Sequence, residues 1–306
     1  MSELKKRQHY VWRHYLKSWA DDDQIWAFLK DQKKLIRSNL MGVAQERYFY
    51  QLEEFDKEEE KLLYKLVVHM SHPSVKELNL DFFRLYTSHY KLNEQLKNSP
   101  INSEAKAILQ KEIDILEKNL MEDVHSKMEA SGNLLLSVID SKNYRFLEDE
   151  QALYETMLYL FFQYVRTKKM KKQVLEGFTS TEHKFWNVIS HVMATTLCRI
   201  YSFSKDLNFT FLENSTDIRF LTCDQPVLNL LADMVDETGS TNEIELYYPL
   251  SPTLALRISF TARAENWIIA RHIDDNEVDY LNKIVAREAH TYVFAEHKND
   301  ISAYFE

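Results

Sequence analysis

The sequence predicts a helix-rich α+β fold built as a single domain. Three observations carry that expectation. Apolar stripes at helical spacing crowd the middle of the chain, alternating apolar runs lie towards both ends, and only 4 glycines and 5 prolines punctuate 306 residues. Helices and strands are segregated rather than alternating, which excludes a doubly wound parallel sheet. The expected architecture is a central helical bundle with one mainly antiparallel sheet, formed from an N-terminal hairpin and the C-terminal third. No composition break marks a linker within 1–306. The chain reads as an N-terminal helix and hairpin over 1–50, a helical region over 51–205 and a strand-rich region over 206–306.

The elements follow from local pattern. The aromatic run over 8–20 places Trp12, Tyr15 and Trp19 on one helical face, which predicts a short helix. Residues 25–29 and 34–37 flank a polar turn and read as a hairpin. An acidic start over 53–60 precedes Leu62, Leu66, Val67 and Met70, and acid at a helix N-terminus matches the dipole. Pro73 ends that helix, and a second covers 75–97. Leu109, Ile113, Leu116 and Leu120 form an amphipathic stripe over 103–129, read as a face packed on the chain's own core rather than as a partner surface. Residues 150–175 are apolar nearly all round, so that helix is central, and another helix covers 182–202. Strands are expected around 209–213, 219–222, 243–248, 254–258, 267–270 and 291–295, with a helix over 275–290 before the last. The segment 233–243, rich in Asp, Glu, Gly, Ser and Thr, reads as a mobile loop.

Composition narrows the function classes. Hydrophobic residues make up 45%, with 17 Phe, 17 Tyr and 5 Trp, enough for a large core. The four glycines are scattered, so no phosphate-cradling loop exists and neither nucleotide-binding fingerprint nor cofactor is expected. A net charge of −9 disfavours general nucleic-acid binding. The densest basic run, 166–172, reads first as a solvated helix end whose cations oppose the negative pole of the dipole. Two cysteines, Cys198 and Cys223, are too few for a disulfide framework or a zinc knot, and no His-x-x-x-His spacing occurs, so no metal site is expected. Cys198 reads as a core thiol, and Asp224 opposes activation of Cys223. The start of the chain has no apolar signal region, and the most apolar stretch, 157–165, is far shorter than the ~20 residues of a membrane span. A cytoplasmic protein is the expectation, with no membrane partner.

Polar residues inside apolar runs need a reason, because burying an unpaired charge costs several kcal/mol. Three places stand out: Gln8-His9-Tyr10 with Arg13, Gln163 with Arg166 on one face of the central helix, and Asp224 at a strand end.

These same residues carry a family resemblance. His9-Tyr10-Val11-Trp12 with Tyr15-Leu16 resembles the opening His-Tyr-x-Pro motif of the bacterial domain-of-unknown-function family 4238, with Trp12 in place of Pro. Gln163-Tyr164-Val165-Arg166-Thr167 matches its Gln-x-x-Arg-Thr. Thr222 to Val227 is similar to Thr-Ser-Asp-Asn-Pro-Val, with Cys223 and Gln225 as departures. Pro249-Leu250-Ser251-Pro252 and the late helical Asn282 complete the order of motifs. The family carries no settled activity. The resemblance suggests a role in phage defence or in a toxin-like system.

Two expectations follow. The favoured one is a metal-independent, ribonuclease-like hydrolase of phosphodiesters. His9 would move a proton, Asp224 would orient it or act as a base, and Arg166 would hold phosphate. Tyr10, Arg13, Gln163, Thr167, Gln225 and Asn282 are the candidate substrate-binding residues, and Lys168, Lys169, Lys171 and Lys172 would guide an RNA backbone. The alternative is a non-catalytic interaction or regulatory protein with a protein partner. There, His9 would bond Asp224, and Arg166 would pair with Glu53 or Glu58, as a buried structural network. The aromatic cluster Trp12, Tyr15, Trp19 and Trp26 reads as core in either case.

Overall fold

The computed structural model describes residues 5–233 and 243–305, so residues 234–242 of the expected loop lie outside the described residues. Within them, eleven strands form three sheets. In chain order the strands are β1 (Arg7–His9), β2 (Gln24–Leu29), β3 (Lys34–Asn39), β4 (Gln45–Arg47), β5 (Leu207–Asn214) and β6 (Thr222–Cys223). They continue with β7 (Leu228–Asn229), β8 (Glu245–Ser251), β9 (Leu254–Phe260), β10 (Ile268–Ile273) and β11 (Tyr292–Ala295). The helices are α1 (Arg13–Leu16), α2 (Lys57–Met70), α3 (Lys76–Tyr86), α4 (Ser88–Asn98), α5 (Ser103–Ala130) and α6 (Asn133–Leu136). After them come α7 (Val138–Ser141), α8 (Glu150–Val165), α9 (Lys168–Leu175), α10 (Trp186–Ser202), α11 (Asp275–Glu288) and α12 (Lys298–Ser302).

The α+β class holds, but the single expected sheet is two. The hairpin β2–β3 joins β11 and β6 in an antiparallel four-stranded sheet, as expected from its two distant sources. A second sheet has the order β10-β5-β9-β8-β7, with β10 parallel to β5 and the other pairs antiparallel. Strand periodicity reports which residues alternate, not which edge a strand joins. The expected helix over 8–20 is also corrected. Its first residues form β1, paired with β4, and only Arg13–Leu16 is α-helical before a 3₁₀ turn over Lys17–Trp19.

The helical half differs in detail. A capping box closes the start of α2, where Asp56 accepts from Glu58 N and Glu59 N while Glu59 accepts from Asp56 N. The face that α2 buries is set by Leu63 and Val67, and Leu62 is 39% exposed, one position off the expected stripe. The helix expected over 75–97 breaks into α3 and α4 at Thr87. The stripe of α5 is split in use: Ile113 is buried, but Leu109 is 47% exposed beside an open groove against α4.

The centre is α8, packed with α10, and Met157, Leu160 and Phe161 are fully buried. Buried hydroxyls and one indole N–H tie the N-terminal segment and the helical core to the C-terminal half. Tyr15 Oη lies 2.6 Å from Thr222 Oγ1 and donates to the Pro249 carbonyl at 2.8 Å, Trp19 Nε1 donates to the Phe220 carbonyl at 2.8 Å, and Tyr159 Oη lies 2.6 Å from Tyr248 Oη. A second cluster packs α11 on the four-stranded sheet through Val278, Leu281 and Val293.

Gly132 marks a close approach. A Cβ there would lie 2.6 to 2.7 Å from ring carbons of Tyr159, a residue with no exposed surface. Gly132→Ala is expected to lower unfolding stability by about 1–3 kcal/mol, through overpacking. Urea denaturation checks this, and a variant as stable as the wild type would show that the ring yields.

Candidate active site

A cleft of about 240 Å³ is lined by His9, Trp12, Arg13, His14, Lys17, Glu122 and Glu129. Three local rules bring these side chains together. In β1 successive side chains face opposite ways. Gln8 turns to the core, where its Nε2 donates to the Lys118 carbonyl at 2.6 Å and its Oε1 accepts from Tyr50 N at 2.7 Å. His9 therefore faces the cleft. Arg13 and Lys17 are one helical turn apart across α1 and the following 3₁₀ turn, so both reach the same wall. Glu122 and Glu129 are two turns apart on one face of α5, about 10 Å along its axis.

Burial depresses the His9 imidazole below its usual value of 6.5. The Leu40 carbonyl, accepting from the ring, opposes this, and Arg13, Arg166 and Arg7 depress it further. His9 Nε2 is buried and has no hydrogen-bond partner. Glu122 moves the other way: burial and the neighbouring Glu129 push its carboxyl up to about 7, against the pull of Arg166 and Lys5. An imidazole held neutral and a carboxyl near neutrality thus share one small polar cleft, a combination found where protons are transferred.

Beneath lies Arg166, 1% exposed, at the C-terminal end of α8. Its Nη2 donates to Glu129 Oε1 at 2.6 Å and to Gln163 Oε1 at 3.1 Å. Burial alone would depress the guanidinium, but Glu129 outweighs it and holds Arg166 charged. The partner is therefore Glu129, not the expected Glu53 or Glu58. Arg166 Nε and Gln163 Nε2 remain buried without partners.

The rest of the expected site is scaffold. Asp224, 1% exposed, accepts from His290 N and Thr291 N, both at 2.8 Å, and does not line the cleft. Burial raises its carboxyl, and the backbone N–H groups of Thr291 and His290 pull it back. It neither bonds nor orients His9. It caps the chain entering β11 because two converging amide hydrogens need a two-oxygen acceptor. Thr167 donates to Gln225 Oε1, and Gln225 Nε2 donates to the carbonyls of Tyr164 at 2.9 Å and Val227 at 3.0 Å. Both are sealed and tie the α8–α9 junction to the segment after β6. Asn282 bonds Leu221 N and the Arg219 carbonyl, each at 2.8 Å. Tyr10 is buried against Phe49. Of the expected substrate-binding residues, only Arg13 lines the cleft.

The basic run is also corrected. The chain turns at Arg166–Thr167, so the lysines start α9 instead of ending α8. Opposing a positive dipole end, they are held by acids and rings: Lys168 by Glu46 at 2.6 Å and by the Tyr10 ring, Lys169 by Glu288, Lys171 over Phe49. Lys168 and Lys169 are thus no free track for a nucleic-acid backbone. Burial pushes the Cys198 thiol up to about 11, and burial ahead of Asp224 raises Cys223, so both are inert core thiols. Trp19 and Tyr15 are core, whereas Trp12 forms part of the cleft wall. Among the described residues, no three His, Cys, Asp or Glu side chains group as metal ligands, and no helix is long and apolar enough to cross a membrane.

Glu122, Glu129, His14 and Lys17 were not among the expected residues. A signal existed in α5, where Asn119, Glu122 and Glu129 recur at helical spacing on a helix that must pack.

The family described as "Protein of unknown function (DUF4238)" matches residues 7–299. The chain belongs to this family. No curated protein and no solved structure matches it.

Asp224→Asn replaces one of two acceptors with an amide that faces a backbone N–H. It is expected to cost about 1–3 kcal/mol of stability, measured by chemical denaturation. An unchanged midpoint would count against the capping role.

Proposed function

We propose that this DUF4238 chain is a metal-independent, ribonuclease-like hydrolase of phosphodiesters. The observation that carries the reading is the meeting in one cleft of His9, Glu122 and Glu129 with Arg13, His14 and Lys17. His9 takes the proton of a ribose 2′-hydroxyl, whose oxygen attacks phosphorus. The bond from phosphorus to the 5′-oxygen breaks, and Glu122 gives that oxygen its proton. A 2′,3′-cyclic phosphate and a free 5′-hydroxyl result. Arg13 and Lys17 bear the charge that builds on the phosphoryl oxygens. Glu129 stays on Arg166, and burial, helped by the like charge of Glu129, favours the protonated Glu122 carboxyl. Reaching His9 Nε2, which is shut off from solvent, requires the cleft to widen on binding.

Cytoplasmic residence belongs to the same proposal, since both cysteines are free. Cleavage of RNA inside a cell is also what a defence or toxin-like role would require. The second reading, a non-catalytic interaction protein, draws on the sealed state of Asp224, Thr167, Gln225 and Asn282 and on the apolar groove between α4 and α5.

RNA incubated with the wild type is expected to yield cyclic-phosphate ends. His9→Ala and Glu122→Gln should each slow this by about 10²- to 10⁴-fold. Intact RNA with folded wild-type protein would exclude the activity.

The pH profile is a separate check. The rate needs neutral His9 and protonated Glu122. Neutral His9 grows as pH rises through its depressed pKa, below 6.5, and protonated Glu122 is lost as pH rises through about 7. A bell with its maximum on the acid side of neutral is expected for kcat/KM. A rate still rising well above neutrality would contradict Glu122 as the acid.

A further inference from the structure

A second cavity, about 450 Å³, adjoins the cleft, and His14 and Lys17 line both. Its size falls within the ~300–1,000 Å³ of small-molecule sites. Lys17 gives the shared wall a cation, and the rest of the lining is different in kind. Leu136 and Ile139 supply apolar surface, and the side chains of Asn133 and Asp140 stand at the same cavity. Among the described residues, the Asp140 carboxylate has no hydrogen-bond or ion-pair partner, nor does the Asn133 amide.

We propose that this cavity is a base-binding subsite selective for guanine, with Asp140 as the specificity-determining residue. A carboxylate offers two acceptors side by side and no donor. Guanine is the base whose pairing edge presents two adjacent donors, the N1 hydrogen and the N2 amino group. Adenine and cytosine set an amino donor beside a ring acceptor, and uracil sets one N–H between two carbonyls, so each turns an acceptor towards Asp140. The Asn133 amide supplies a donor for guanine O6, and Leu136 and Ile139 cover a ring face. Single-stranded RNA is read in this way, by its pairing edge and by apolar contact with the base. The phosphate on the 3′ side of that nucleoside then falls at His14 and Lys17, beside His9 and Glu122. The inference rests on the phosphodiesterase reading only for this placement of the phosphate.

The test separates the two. Titration calorimetry with guanosine, adenosine and uridine 3′-monophosphates is expected to give affinity for the guanosine nucleotide about tenfold or more above the others, as expected of a bidentate pair. Asp140→Asn should abolish that margin, and because Asp140 is exposed, the variant keeps the fold. Equal affinities in the wild type, or a margin that survives D140N, would overturn the subsite. Cleavage of GpU and UpU is the second arm. Cleavage at equal rates would sink the subsite and leave the hydrolase standing. Guanosine-selective binding without cleavage of either would sink the hydrolase and leave the subsite standing.

Discussion

The arrangement depends on the ion pair between Arg166 and Glu129. It joins the end of the central helix α8 to α5, the longest helix among the described residues, where both charges are largely removed from water. Breaking such a pair costs about 3–5 kcal/mol, because the survivor is left charged and unpaired. That penalty fixes the rotation of α5 against the core, and with it the face that carries Glu122. The pair also sets the electrostatics above it. Glu129 repels a second negative charge at Glu122, and Arg166 repels a proton on His9. Burial is the larger cause of both shifts; the pair adds to it through Glu129 at the carboxyl and through Arg166 at the imidazole, while Arg166 pulls the carboxyl back.

Around this pair the molecule holds its sheets by polar ties as well as apolar packing. Tyr15 and Trp19 reach from the N-terminal segment to the backbone of the C-terminal half, and Asp224 and Asn282 bind backbone amides that no strand partner satisfies. Buried amides left unpaired would cost about as much as the hydrogen bonds they lose. These residues therefore behave like catalytic ones in sequence, polar and set among apolar neighbours, while their task is to close the backbone.

The division of labour in the cleft follows from depth. Arg166 and Gln163 lie below and are committed to one another. Arg13, His14 and Lys17 lie on a short, exposed turn at the cleft, where Arg13 leans on Met41 and the His14 ring packs against Trp12. Three of the α9 lysines, Lys168, Lys169 and Lys171, are by contrast already matched by acids and rings.

What the sequence determined by itself was the class of fold, the hairpin at β2–β3, the central position of α8, the family, and, of the candidate residues, His9 and Arg13 at the cleft with Arg166 beneath it. Each of these is written in local periodicity or in the type of residue buried. The division into two sheets, the break at Arg166–Thr167, the choice of Glu129 as partner and the sealing of Asp224 were decided only in three dimensions. Periodicity tells which residues face the same way, and it is silent about which distant surface they meet. Glu122 is the sharpest instance: an ordinary helical glutamate in the sequence has its carboxyl lifted to about 7 because burial and Glu129 outweigh the pull of Arg166.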